Sequence, residues 1–178
     1  RYRQLGRGMI EAQVQSTASG AIMFDRALIT APVDAWFDRA HWSMLGAATA
    51  TAAGGRGGVA FVDTPVGMCA LRHYHRGGFA ARVSADRYVW AGASRTRSFR
   101  EFRLLAELAN AGLPVPLPVA ARYVREGLRY RADLLTRRVE PAHMLSGALG
   151  TGALDPALAE RIGRTLARFH TAGVWHAD

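Results

Sequence analysis

The sequence predicts an α+β fold: a small antiparallel sheet lobe carrying one long helix, followed by the beginning of a helical lobe. Three observations carry that reading. Two pairs of apolar, β-prone runs are each joined by a short turn, at residues 63–67 and 125–127. Between the pairs lies a stretch with helical spacing and a clear stop signal. A second helical stretch, opened by Asp155-Pro156, follows a looser connector.

Taken in order, residues 1–46 alternate polar patches with apolar clusters, Ala21-Ile22-Met23-Phe24 and Trp36-Phe37 with Trp42, separated by turns at Asp25 and Pro32. They read as an N-terminal extension that packs by its aromatics. Small residues then lead into Gly54-Gly55-Arg56-Gly57-Gly58. Residues 59–62 read as a strand, 63–67 as a turn and 68–74 as a second strand. From Ser98 to Asn110 the positions Phe99, Phe102, Leu105, Leu108 and Ala109 fall at helical spacing, with Ser98 as N-cap and Gly112 and Pro114 as stops. Residues 119–124 and 128–136 form a second hairpin around Arg125-Glu126-Gly127, and 137–151 is a connector. Asp155 as N-cap and Pro156 at the first helical position open a helix whose Leu158, Ile162, Leu166 and Phe169 make one apolar stripe. The domain limits that follow are 1–46 for the extension, 47–139 for the sheet lobe and 140–178 for the start of the helical lobe.

At 49% hydrophobic and 21% charged residues the chain is an ordinary globular protein, which excludes intrinsic disorder. All 23 basic residues are Arg, and against 14 acids they leave a net charge of +9. A pI near 11.1 implies an anionic partner: nucleic acid, an anionic membrane surface or a phosphorylated substrate. With no Lys, any step that needs a side-chain cation falls to Arg, whose planar fork binds phosphate oxygens in pairs. The single cysteine, Cys69, lies in an apolar strand and reads as a small buried hydrophobe. No apolar run approaches the ~20 residues of a spanning helix, so membrane contact is expected to be peripheral.

Four segments carry chemistry. Gly54-Gly55-Arg56-Gly57-Gly58 lets backbone N–H groups close over phosphates, because glycine has no Cβ in the way; a flexible surface loop is the competing reading, since the spacing is not that of a Walker loop. Cys69-Ala70-Leu71-Arg72 has the apolar-apolar-cation form of the kinase strand whose Lys pairs with nucleotide phosphates and with a helix Glu. Here the cation is Arg72, with Glu101 as partner. Glu101 has a rival role, because Ser98-x-x-Glu101 is also a capping box. Finally, helix, Gly173 break and His176-Ala177-Asp178 match the approach to a kinase catalytic loop, whose Asp accepts the proton of the attacking hydroxyl. His73 and His75 read as a basic surface turn in preference to metal ligands. The Arg-rich stretch from Arg72 to Arg100, with Tyr88 and Trp90, reads as a nucleic-acid face, a cradle for phosphorylated lipid headgroups or a solvated face.

A resemblance joins these parts. Leu71-Arg72-His73-Tyr74-His75-Arg76-Gly77-Gly78, Asp86-Arg87-Tyr88 with Trp90, Thr96-Arg97-Ser98-Phe99-Arg100-Glu101-Phe102, Gly112-Leu113-Pro114-Val115-Pro116, Tyr130-Arg131-Ala132-Asp133-Leu134-Leu135-Thr136 and the closing His176-Ala177-Asp178 resemble the Kdo (3-deoxy-D-manno-octulosonic acid) kinases, a lipopolysaccharide kinase family with a protein-kinase-like fold. The resemblance covers residue 21 to the end. It implies transfer of the ATP γ-phosphate to the 4-hydroxyl of Kdo on lipid A, with Mg²⁺, by a protein peripheral to the cytoplasmic face of the bacterial inner membrane; no nucleic acid is expected.

Carried over residue by residue, the resemblance makes Asp178 the catalytic base and Arg72 the nucleotide-phosphate cation, with Glu101 its helix partner. Gly55, Gly57 and Gly58 belong to the phosphate-covering loop, and residues 134–138, with Leu135 and Arg137, to the hinge that contacts adenine. The family continues past this Asp with an Asn and an acidic metal ligand, so the chain as written stops at the catalytic loop and is expected to be inactive by itself. The rival readings are a heptose kinase of the same family and a basic nucleic-acid-binding module.

Overall fold

The computed structural model describes residues 8–49, 59–75, 86–140, 142, 145–150 and 155–175. It divides into two units, Arg1–Arg138 and Val139–Asp178.

The first unit is built on one sheet. Its strands are β1 (Ala12–Thr17), β2 (Gly20–Asp25), β3 (Ala48–Thr49), β4 (Val59–Thr64), β5 (Gly67–His73), β6 (Tyr88–Val89), β7 (Pro118–Glu126) and β8 (Arg129–Arg137). They run in the order β1-β2-β7-β8-β5-β4-β3, and β6 pairs with the end of β8 that β5 leaves free. Every pairing is antiparallel. Two hairpins expected from the sequence are present as β4–β5 and β7–β8, each turning at a glycine with positive φ, Gly67 at +97° and Gly127 at +61°. The Gly-rich segment 54–58 lies outside the described residues.

Alternation along the strands divides the core in two. One face carries Ile22, Phe24, Ala60, Val62, Cys69, Leu71, Ala120 and Leu135, closed by Ile29, Phe37 and Trp42. Phe37 ends a 3₁₀ turn, Asp34–Phe37, and Trp42 lies in α1 (Arg39–Met44), which starts where the Asp38 carboxylate accepts from Ala40 N at 2.9 Å. The other face carries Ala21, Met23, Ala121, Tyr123, Ala132 and Leu134, closed by Phe99, Phe102 and Ala106 of α2 (Arg97–Asn110). Burial of each large apolar side chain contributes about 1.5–3 kcal/mol. Cys69 is buried in the first core, and burial pushes its thiol up, so it acts as packing.

Residues 1–46 do more than pack by their aromatics. β2 is inserted between β1 and β7, with Ala21 to Phe24 buried on both faces. A strand covered on both sides is a continuous apolar run without alternation, which is why the sequence offers a cluster there and no strand signal. The start of α2 also differs from the sequence reading. Thr96 is the N-cap residue, and Ser98 lies inside the first turn with its hydroxyl donating to the Arg122 carbonyl at 2.8 Å.

The second unit holds α3 (Leu145–Gly150) and α4 (Pro156–Thr171). As the sequence predicts, Asp155 caps α4, accepting from Leu158 N at 2.6 Å, and Pro156 opens it. Its C-terminus closes with Gly173 at φ +77°, Gly173 N donating to His170 O and Val174 N to Phe169 O, a Schellman arrangement. His170 and Trp175 stack with centroids 4.5 Å apart. Among the described residues no helix is long and apolar enough to cross a membrane.

Candidate active site

The sheet face that receives α2 is only partly covered by it. Toward β4 and β5 the same face presents Val59, Phe61, Ala70, Arg72 and Thr136, all half-buried. The register makes them neighbours: Val59 lies opposite Arg72, Phe61 opposite Ala70, and Ala70 opposite Thr136. Arg138 places its guanidinium 4.1 Å from the centre of the Phe61 ring. The result is an open apolar floor with Arg72 at one side.

Arg72 is held from α2. Phe99, Phe102 and Ala106 anchor that helix in the core, and Ser98 ties its first turn to β7, which brings Glu101 to the edge of the helix above β5. One Glu101 oxygen accepts from Arg72 Nη2, and the other accepts from the Tyr74 hydroxyl. Arg72 Nη2 also donates to the Tyr74 oxygen at 2.9 Å, and its guanidinium lies 4.7 Å from the Tyr74 ring centre. Arg97 approaches the same ring at 5.2 Å. Arg72 and Tyr74 are two residues apart on one side of the extended chain, and Tyr74 N continues the ladder by donating to Ala132 O at 3.0 Å.

The electrostatics keep this group fixed in charge. Burial lowers the Arg72 pKa, but the Tyr74 oxygen and Glu101 outweigh it and hold the guanidinium firmly protonated. Burial raises the Tyr74 pKa, and its bond to Glu101 raises it further, so the phenol stays neutral and donating. Arg72 Nε is buried without a hydrogen-bond partner. The Arg72 side chain remains 38% exposed, so the arrangement offers a permanent cation beside an apolar floor, suited to binding an anionic group and unsuited to proton transfer.

The opposite sheet face carries a second polar cluster. Asp133, almost fully buried, accepts from Arg122 Nε at 3.0 Å and Nη2 at 2.8 Å, and its other oxygen meets His73 Nδ1 at 2.6 Å. His73 Nε2 lies 3.6 Å from Asp86. The Asp133 hydrogen bond, opposed by burial, raises the His73 pKa above 6.5. His73, Arg122 and Asp133 border a cavity of about 420 Å³ with Phe37, Arg39 and Arg131. His73 thus lies in a strand and serves a buried carboxylate, where the sequence reading had a surface turn.

Of the site residues expected from the sequence, the structure brings Arg72 and Glu101 into contact, and Glu101 makes no capping-box bond. Leu135 is fully buried in the core of the opposite face, so its side chain is spent on packing. Arg137 lies on that opposite face too, across from Cys69 and beside Gly67. Gly55, Gly57, Gly58 and Asp178 lie outside the described residues. Among the described residues no group of three His, Cys, Asp or Glu side chains is placed to hold a metal ion. Sequence reading missed Tyr74; its signal was the two-residue spacing from Arg72 within a strand.

A strand cation tied to a helix carboxylate, on an antiparallel lobe with one packed helix, defines a lobe of the kinase-like class. The comparisons agree: residues 40–178 match the lipopolysaccharide kinase (Kdo/WaaP) family, and the chain belongs to that family. It is 49% identical over 160 residues to the 3-deoxy-D-manno-octulosonic acid kinase of Stenotrophomonas maltophilia (strain K279a). It is 51% identical over 162 residues to the protein of that name in Xanthomonas axonopodis pv. citri (strain 306). Each match covers 89% of this chain and 63% of the relative, so the chain spans less than two thirds of their length. No solved structure is a significant match.

Proposed function

We propose that the chain is the sheet lobe and the start of the helical lobe of a sugar kinase that phosphorylates the 4-hydroxyl of Kdo on lipid A with ATP, at the cytoplasmic face of the inner membrane. The observation that carries this reading is Arg72, oriented by Glu101 and Tyr74 and still partly exposed beside the half-buried floor of Phe61, Ala70 and Thr136. A nucleotide fits that pairing of features: apolar contact for a base and a fixed cation for phosphates. The relatives at about half identity are named for Kdo, which favours Kdo over heptose as acceptor.

In this mechanism bound ATP supplies the phosphoryl group. Arg72 orients its phosphates and offsets charge that accumulates during transfer, and Glu101 and Tyr74 hold Arg72 in place. Asp178 takes the proton of the sugar hydroxyl as its oxygen bonds to the γ-phosphorus and ADP leaves. The test is transfer from γ-labelled ATP to Kdo-lipid A by the full-length protein. Transfer that is lost with Arg72→Ala supports the proposal; no transfer to any Kdo acceptor ends it.

A further inference from the structure

The turn of the β7–β8 hairpin, Glu126-Gly127-Leu128-Arg129, carries a large apolar residue where turns are usually polar. Leu128, at that turn, is 82% exposed, the most exposed large hydrophobic residue among those described, and Val89 of β6 is 69% exposed. They are neighbours, because Val89 pairs with Arg129 and the next amide, Trp90 N, donates to Leu128 O at 2.9 Å. Single exposed apolar residues are ordinary, but two neighbouring ones at one end of a sheet leave apolar surface that water disfavours.

Arginines surround this pair. Arg129 and Arg87 are exposed on one side, and Arg125 is exposed on the other, held by a 2.9 Å bond from its Nε to Gly127 O and by the Trp90 ring at 4.9 Å. Glu126 is the acid at the turn, and it is already paired with Arg87 at 3.1 Å and with Arg131. The tip therefore combines excess positive charge with exposed apolar side chains, Val89 at the register position of Arg129 and Leu128 across from Trp90. Such a surface complements an anionic bilayer, where guanidinium groups meet lipid phosphates while Leu and Val enter the headgroup region.

We propose that the tip formed by the β7–β8 turn and β6 is the surface on which the protein rests on an anionic lipid bilayer. The proposal deepens the reading of a lipid-borne acceptor and rests on it for its purpose, while its geometry stands apart from Arg72 and Glu101.

The experiment is co-sedimentation of the full-length protein with vesicles of phosphatidylcholine alone, or mixed in equal parts with phosphatidylglycerol. Three variants are compared after circular dichroism has confirmed their fold: Val89→Ser/Leu128→Ser, Arg125→Gln/Arg129→Gln, and Met44→Ser. The last removes a residue that is 79% exposed on α1, away from the tip. Expected is binding to the anionic vesicles that weakens with salt, falls about tenfold in each tip double variant and is unchanged in Met44→Ser. Absence of vesicle binding, equal loss in Met44→Ser, or full binding by both tip variants would overturn the proposal. So would tip variants that lose oligonucleotide binding and keep vesicle binding. Transfer to a detergent-solubilised Kdo acceptor separates the two readings: failure there with tip-dependent vesicle binding sinks the kinase and leaves the docking surface.

Discussion

Replacing Glu101 with Ala tests how the strand cation is positioned. The substitution removes both oxygens that hold the group, one accepting from Arg72 and one from Tyr74. A hydrogen bond to a charged group contributes about 1.5–3 kcal/mol when buried, but the Arg72 and Glu101 side chains are 38% and 31% exposed, which reduces the expected stability loss to about 1 kcal/mol. For a domain of this size that is a fall of about 2–4 °C in Tm. The kinetic effect should be larger, because a cation free to swing by about 1 Å can cost up to about 100-fold in rate. The assay is a double-mutant cycle of Arg72→Ala and Glu101→Ala on kcat/KM of the full-length enzyme, alongside thermal melts. If the pair acts as a unit, the double variant costs little more than Arg72→Ala alone. Losses that add to within about 0.5 kcal/mol would refute the positioning argument and leave Glu101 as a residue of α2 stability only. Arg72→Lys should restore only part of the rate, since an ammonium cannot hold Glu101 and present a second N–H in a fixed fork.

Asp178→Asn in the full-length protein should lower kcat by roughly 10²–10⁴ with ATP binding nearly unchanged; near-normal kcat would remove it as the base. His73 has a raised pKa in the folded protein, so its stabilising contribution is complete below about 6.5 and lost as pH rises through the folded value. The Tm difference between the wild type and His73→Asn should therefore be larger at about pH 5.5 than at about pH 9, and a constant difference would contradict the Asp133 contact. Gly67→Ala should cost roughly 1–2 kcal/mol by denaturant titration, because φ is +97° there and the new Cβ would lie 2.7 Å from Arg137 Nη1. Phe102→Ala, at a fully buried position of α2, should cost about 3–5 kcal/mol and lower activity through lost fold.

What the sequence determined by itself was local. Turn glycines, alternation and the helical period located both hairpins, α2 and α4, because each of these signals is written within a dozen residues. Arg72 and Glu101 were named from a strand pattern and a helix pattern, but their spacing could not choose between an ion pair and a capping box. That choice is tertiary: β7 takes the Ser98 hydroxyl, and β5 presents Arg72 and Tyr74 to both oxygens of Glu101. The strand nature of residues 20–25 also depends on distant chain, since β2 exists by pairing with β7 about a hundred residues later. Which face each β8 residue serves was likewise decided by the sheet: Leu134 turns toward α2, while Asp133 and Leu135 turn away from it. Period-two alternation fixes that neighbours oppose one another, but only the packing of α2 on one side and α1 on the other decides which face becomes a site.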